Sequence, residues 1–179
     1  EHNGYEHGHA LYNEVLQVPL IIKFPRAASK GRIDKWVSTQ RITPTILDIL
    51  GIEYDRNYLS DGSLSPLWRA NQADLNSQPI ITKGTLYFQE QESVIFGDMK
   101  YIRFLGTGRE ELYDLASDPQ EKSSLFGSSP QIIQQGRNLL RKHKKIAALL
   151  VQLYKIGEVE KADIDKATTE KLKSLGYIQ

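Results

Sequence analysis

The 179 residues include no cysteine, which excludes disulfides, thiolate metal centres and a cysteine nucleophile within this chain. No apolar run approaches the roughly 20 residues that a membrane-spanning helix needs. A surplus of one charge is missing too. With 23 Lys and Arg against 22 Asp and Glu, the formal net charge is +1, and nothing in that balance argues for nucleic acid or an anionic membrane as partner. There is no internal repeat and no low-complexity segment. What is present, 40% hydrophobic and 25% charged residues, is the composition of a globular chain able to bury a core.

Side chains with chemistry gather near the start, where three of the four histidines stand at positions 2, 7 and 9. His7-Gly8-His9-Ala10-Leu11-Tyr12-Asn13-Glu14 is a polar stretch that runs into Val18-Pro19-Leu20-Ile21-Ile22-Lys23-Phe24, closed by Pro25. The second part is apolar on alternate and intervening positions alike, so it is expected to be a strand buried on both sides, as in a parallel or mixed sheet under helices. Loops at the ends of such strands are where sites are built. His7 and His9 share a face if the segment is extended, and a fixed pair of imidazoles there could take a metal or an oxyanion; a solvent-exposed loop without a function is the other reading. An imidazolium suits an anionic ester because it brings charge, a donor and a proton near a pKa of about 6.5. His2 is given no role.

Further along, residues 26–32 make a basic loop of small residues, expected to be a solvated turn. Thr43-Pro44 opens and Gly51 ends a short helix with Ile46, Leu47, Ile49 and Leu50 on its apolar face. Around Asp61-Gly62, Leu64, Leu67 and Trp68 are expected to pack one helical turn onto the body, Trp68 as a core anchor. Strands are expected at 79–82, 85–88, 93–96, 100–105 and 110–115, with Gly97-Asp98 as a tight hairpin. Gly106-Thr107-Gly108 lacks the third glycine, the lysine and the helix of a phosphate loop and is expected to be a hairpin tip. Ser129-Pro130 starts a long amphipathic helix reaching Tyr154, apolar through Ile133, Leu140 and Val151 and basic on the other side, where a solvated outer face is expected. A short helix follows from Asp165 to Leu175, stopped by Gly176.

His7-Gly8, Leu11-Tyr12, Glu14 and Val18-Pro19-Leu20-Ile21-Ile22 together resemble the sulfatase branch of the alkaline-phosphatase superfamily. Three further stretches extend the likeness over nearly the whole chain in the family's order: Pro44-Thr45-Ile46-Leu47-Asp48-Ile49-Leu50-Gly51-Ile52, then Glu111-Leu112-Tyr113-Asp114-Leu115 with Asp118-Pro119 and Glu121, then Leu175-Gly176-Tyr177-Ile178. Gln17 stands where the family usually has Arg. The resemblance implies that His7 is a catalytic residue in contact with the substrate's sulfate, with His9 as the second choice for that contact. It further implies a formylglycine nucleophile made from Cys or Ser in a C/S-x-P-x-R motif, which this chain lacks. A divalent metal, calcium in the first place, would be held by aspartates and an Asp-Asn or Asp-His pair upstream of Glu1, with no metal ligand in this chain.

On this likeness the chain is expected to be a C-terminal fragment with an α/β fold, inactive alone. Residues 1–78 would end the catalytic domain with a main-sheet strand and a helix, and residues 79–179 would form a small four-stranded antiparallel sheet with the long helix. The partner implied is a sulfate ester, and not nucleic acid; relatives suggest an extracytoplasmic or membrane-anchored location. Two other readings stand beside it. One is a metal-dependent phosphotransferase or phosphodiesterase of the same superfamily, since Glu1-His2-Asn3-Gly4 to Gly8 fits the spacing of its phosphoethanolamine-transferase members. The other is a non-catalytic module that forms a homodimer through the Pro130–Tyr154 helix.

Overall fold

The structure is a computed structural model, and it describes residues 2, 8–24, 30–56, 59, 61–68, 78–87, 89–154 and 165–174. The chain divides into two compact units, Glu1–Lys144 and Lys145–Gln179.

The first unit is built on one antiparallel sheet in the order β1 (Ile80–Lys83), β2 (Gln91–Phe96), β3 (Met99–Phe104), β4 (Glu110–Asp114). Gly97-Asp98 joins β2 to β3 as the expected two-residue hairpin, with Phe96 opposite Met99. Gly106-Thr107-Gly108 lies in the connection from β3 to β4. Register sets the two faces. Val94 pairs with Tyr101 and Tyr101 with Leu112, so these three point to one side, while Lys100, Ile102, Phe104 and Tyr113 point to the other. Both sides are covered. The first face packs on Ile133 and Leu140 of the long helix α3 (Pro130–Leu153), the second on Ala10 and Tyr12 of the N-terminal segment.

The approach of α3 to the sheet is close, and Gly136 is what allows it. A Cβ there would stand 2.7 Å from Cγ of Tyr101, inside any real contact. Beside it, the Tyr101 hydroxyl donates to Glu110 Oε1 at 2.6 Å, and Arg137 Nε donates to the same oxygen at 3.0 Å. The helix is thus fixed at the point of closest approach by a charge-assisted pair.

Three expectations are corrected in this unit. Val18–Phe24 is not a strand. It runs without regular structure, with Val18 61% and Ile21 90% exposed, because a strand exists only where another backbone completes its ladder and none lies alongside among the described residues. Residues 85–87 are not a strand either; they turn, and the sheet has four strands. In α2 (Ile42–Leu50) the capping residue is not Thr43: a 3-10 turn at Thr39–Arg41 leads into the helix, and Ser38 caps that turn by accepting from the Gln40 N–H. Gly51 does end α2, in the left-handed conformation, with Ile52 N–H on Leu47 O at 2.9 Å.

Helix α2 buries Pro44 and Thr45, and Ile46, Ile49 and Leu50 stay exposed. The sheet has no face left for them. Thr45 Oγ1 instead accepts the Leu64 N–H at 2.8 Å and donates to Arg41 O, which docks the buried Leu64 and the turn Ser65–Leu67. The Trp68 ring stands 5.0 Å from that of Phe24.

The second unit comprises the end of α3 from Lys145 and α4 (Lys166–Ser174). Asp165 starts α4, accepting the Thr168 N–H at 2.9 Å and the Thr168 hydroxyl at 2.8 Å. Ile146, Leu149, Val151 and Leu153 are exposed along the end of α3. No helix among the described residues is long and apolar enough to cross a membrane.

Candidate functional site

Residues Gly8 to Asn13 form a turn on the sheet face opposite α3, and that turn carries His9. Gly8 has φ +84°, and a Cβ on it would come within 3.0 Å of Leu86 Cβ. Its carbonyl accepts two N–H groups, from Leu86 at 2.7 Å and Tyr87 at 3.0 Å. Another residue would meet both the left-handed backbone and the clash, which is a physical reason for glycine between the two histidines. The side-chain amide of buried Gln91 holds the turn from the sheet: Oε1 accepts the Leu11 N–H and Nε2 donates to the His9 carbonyl, both at 3.3 Å.

His7, the first choice for contact with the sulfate, lies outside the described residues. His9 is half-buried, and its Nδ1 has no hydrogen-bond partner among the described residues. That nitrogen is itself shielded from solvent, so it accepts or, in the other tautomer, donates only to a group brought into direct contact with it.

Behind the turn lies a polar network absent from the sequence reading. Tyr12 packs in the core and sends its hydroxyl to Glu111 Oε2 at 2.8 Å, an oxygen that also accepts from the Tyr113 hydroxyl at 3.0 Å. Burial first, and then Glu111, pushes both phenols well above their usual range, so both hydroxyls keep their protons. Arg109 lies 3.2 Å from the other oxygen of Glu111, Oε1, and over the Phe104 ring at 3.8 Å. That guanidinium borders a depression of about 410 Å³ between Gln89, Gln91 and Thr107, but its charge is already met.

One residue on, at Asn13, the network is fully buried. Lys100 of β3 is 0% exposed, with Nζ 2.8 Å from Asn13 Oδ1 and 2.7 Å from Glu121 Oε1. Glu121 is 1% exposed, and its Oε2 accepts the Asn13 backbone N–H at 2.6 Å. Glu121 is thus fully buried, whereas Asp118, three residues before it, is only half-buried. The Asp118 carboxylate accepts the N–H groups of Ser123 and Lys122, which hold its pKa below the usual value and bend the chain so that Glu121 turns inward. Glu121 sits at φ +55°, a conformation that side-chain-bearing residues rarely adopt. Burial lowers the ammonium pKa of Lys100, against the opposing pull of Glu121 and Glu14.

His2, which had been given no role, closes this network from outside. Its ring stacks on Tyr12 at 3.8 Å and 9°, with Nδ1 2.9 Å from Glu14 Oε1 and Nε2 2.9 Å from Glu121 O. With a carboxylate at one ring nitrogen and a carbonyl at the other, the site favours the imidazolium, which donates from both. Burial acts to lower its pKa, but the Glu121 carbonyl and Glu14 outweigh it and the net shift is upward.

The sequence carried one signal for Lys100. It stands at i, i+2 and i+4 with Ile102 and Phe104, a lysine on an otherwise apolar strand face. For Asn13, Glu121 and His2 no local pattern announces a contact made across 87 to 119 residues of chain. Among the described residues no group of three or more His, Cys, Asp or Glu converges as a metal site.

Residues 1–148 match the family model described as N-sulphoglucosamine sulphohydrolase, C-terminal. The chain is 26% identical over 158 residues to an N-acetylglucosamine-6-O-sulfatase of Bacteroides thetaiotaomicron, covering 81% of this chain and 26% of that protein. It is 27% identical over 144 residues to arylsulfatase K of Xenopus laevis, covering 74% and 26%. With a protein from Formosa agariphila named sulfatase it shares 32% over 114 residues, covering 63% and 21%. The chain thus spans about a quarter of the length of these curated relatives. A structure solved with its substrate D-glucosamine-2-N,6-O-disulfate aligns with a TM-score of 0.51 at 22% identity, over 69% of this chain and 25% of that one, a likeness of fold.

Proposed function

From the premise that the chain belongs to the N-sulphoglucosamine sulphohydrolase C-terminal family of sulfatases, we propose that it is the C-terminal part of a longer sulfatase, to which it lends the histidine turn. Its sheet and long helix are the C-terminal part of the sulfatase fold. The observation that carries the proposal is the uncovered apolar surface of residues 18–24 and 30–52. Val18 (61%), Ile21 (90%) and Leu50 (64%) belong to the stretches that resemble the family's main-sheet strand and helix, and they are the side chains a catalytic sheet would cover.

In this reading the nucleophile is a formylglycine and the metal, calcium, is bound by residues upstream of Glu1. Sulfate transfer builds charge on the sulfate oxygens and on the leaving oxygen. His7, or His9 as second choice, then donates to that charge or protonates the leaving alcohol. The substrate is a sulfate ester, with the sulfated glucosamines of the relatives as the first compounds to try. The full protein would be extracytoplasmic or membrane-anchored, as the family resemblance suggests. Produced without its upstream part, the chain would cover that apolar surface by dimerising.

The test begins with the coding sequence upstream of Glu1. It should hold an Asp-His or Asp-Asn pair close to Glu1 and a C/S-x-P-x-R motif far upstream. The full protein should hydrolyse an aryl sulfate and lose about 10²–10⁴-fold in kcat with His7→Ala, whereas the 179-residue chain alone should do nothing. Hydrolysis by the isolated chain, or an upstream sequence without either motif, overturns the proposal.

A further inference from the structure

We infer that Lys100 and Glu121 are positioning residues for the histidine turn: through the Asn13 side chain and backbone N–H they hold the Gly8–Asn13 segment in the one place from which an imidazole can be presented. The inference rests on the reading that this turn meets the substrate.

Three observations lead there. The pair is fully buried, and a buried ion pair is a poor source of stability, since apolar residues of like volume often serve as well or better. Something other than stability is then needed to account for it. Glu121 also keeps a left-handed backbone that a glycine would adopt without strain, so the side chain is required at the cost of the strain. Thirdly, the two side chains converge on one residue, Asn13. Lys100 Nζ reaches Asn13 Oδ1, Glu121 Oε2 takes the Asn13 N–H, and the Glu121 carbonyl takes His2. Asn13 follows Gly8 to Tyr12, where Gln91 and the Leu86 and Tyr87 N–H groups hold the Gly8–Leu11 backbone and Glu111 holds the Tyr12 hydroxyl. Hydrogen bonds fix angle as well as distance, which an apolar contact would not. Lys100 with Glu121 is therefore the anchor at the Asn13 end of the turn, next to the Tyr12 hydroxyl bond to Glu111.

The test is Lys100→Met with Glu121→Leu, a double replacement that keeps volume and leaves no charge unpaired. In the 179-residue chain, melting should stay within about 4 °C of the parent. Amide hydrogen exchange should fall in protection at least about tenfold over residues 8–16 and stay unchanged over 91–114. A purely structural pair would move both regions together, and equal protection in both regions overturns the inference. Should the double variant not fold, the single Glu121→Gln, which keeps an oxygen for the Asn13 N–H, is read by the same comparison of 8–16 with 91–114 and decides in the same way. In the full-length enzyme the double variant should lose about 10-fold or more in kcat. An inactive parent enzyme would sink the sulfatase proposal and leave the exchange result standing.

Discussion

Two regions of the first unit are both rich in apolar residues and treat them in opposite ways. Between Gln91 and Leu140, Val94, Tyr101, Ile102 and Leu112 are wholly buried, because the sheet is sandwiched between α3 and the Gly8–Tyr12 turn. Between Val18 and Ile52, Ile21, Ile33, Ile46 and Leu50 face outward. Apolar pattern alone states that a surface must be covered, and only the fold states whether the cover lies in the same chain.

Substitutions can break that contrast or sharpen it. The largest effect is expected from Lys100→Met alone. It strands the Glu121 carboxylate in the interior and should cost about 3–5 kcal/mol in chemical denaturation, whereas the double replacement should recover most of this. Gly136→Ala comes next, at about 1–3 kcal/mol, since its Cβ has to displace the Tyr101 ring or lift α3 from the sheet. His2→Ala should be smaller, about 1 kcal/mol, and pH-dependent. The folded-state pKa of His2 is raised, so its stabilisation is fully present below the unfolded value of about 6.5 and is lost as pH rises through the folded one. Melts at pH 5.5 and 9 should therefore differ between parent and variant most at the acid end; an equal loss at both would mean the stacking on Tyr12 is all that matters. The smallest effect belongs to Ile21→Ser, within about 0.5 kcal/mol in this chain. The same change should be markedly destabilising in a full-length protein whose catalytic sheet covers that surface.

How much of this could be read beforehand follows the range of each interaction. The Gly97-Asp98 hairpin, the Gly51 helix stop and the Pro130 helix start are local, decided by one or two residues and their backbone preferences, and all three stand where the sequence puts them. Val18–Phe24 failed as a strand since strand character belongs to a pair of segments, and its partner is not among the described residues. Thr85-Leu86-Tyr87 failed for a related reason: its N–H groups at 86 and 87 turn to Gly8 rather than to a strand. At the candidate site the family motif named the histidines, and no motif named their support. Glu121 looks like an ordinary surface charge within its own neighbourhood, and Lys100 is marked only by the apolar strand face it shares with Ile102 and Phe104. Their burial is created by Asn13, which lies 87 and 108 residues away.

That separation bears on the order in which the chain folds. The β2–β3 hairpin closes over two residues and the β3–β4 hairpin over five, loops that form on the microsecond scale. Docking Asn13 on Glu121 closes a span of more than a hundred residues, with a far larger loss of chain freedom. The histidine turn should therefore be the last part of the first unit to become ordered. Stopped-flow refolding of Asn13→Ala is expected to show an unchanged folding rate and a faster unfolding rate, while Tyr101→Phe in the hairpins should slow folding itself. A turn assembled last is also the first to be released, so heat or denaturant would disarm the candidate site before it dismantles the sheet beneath.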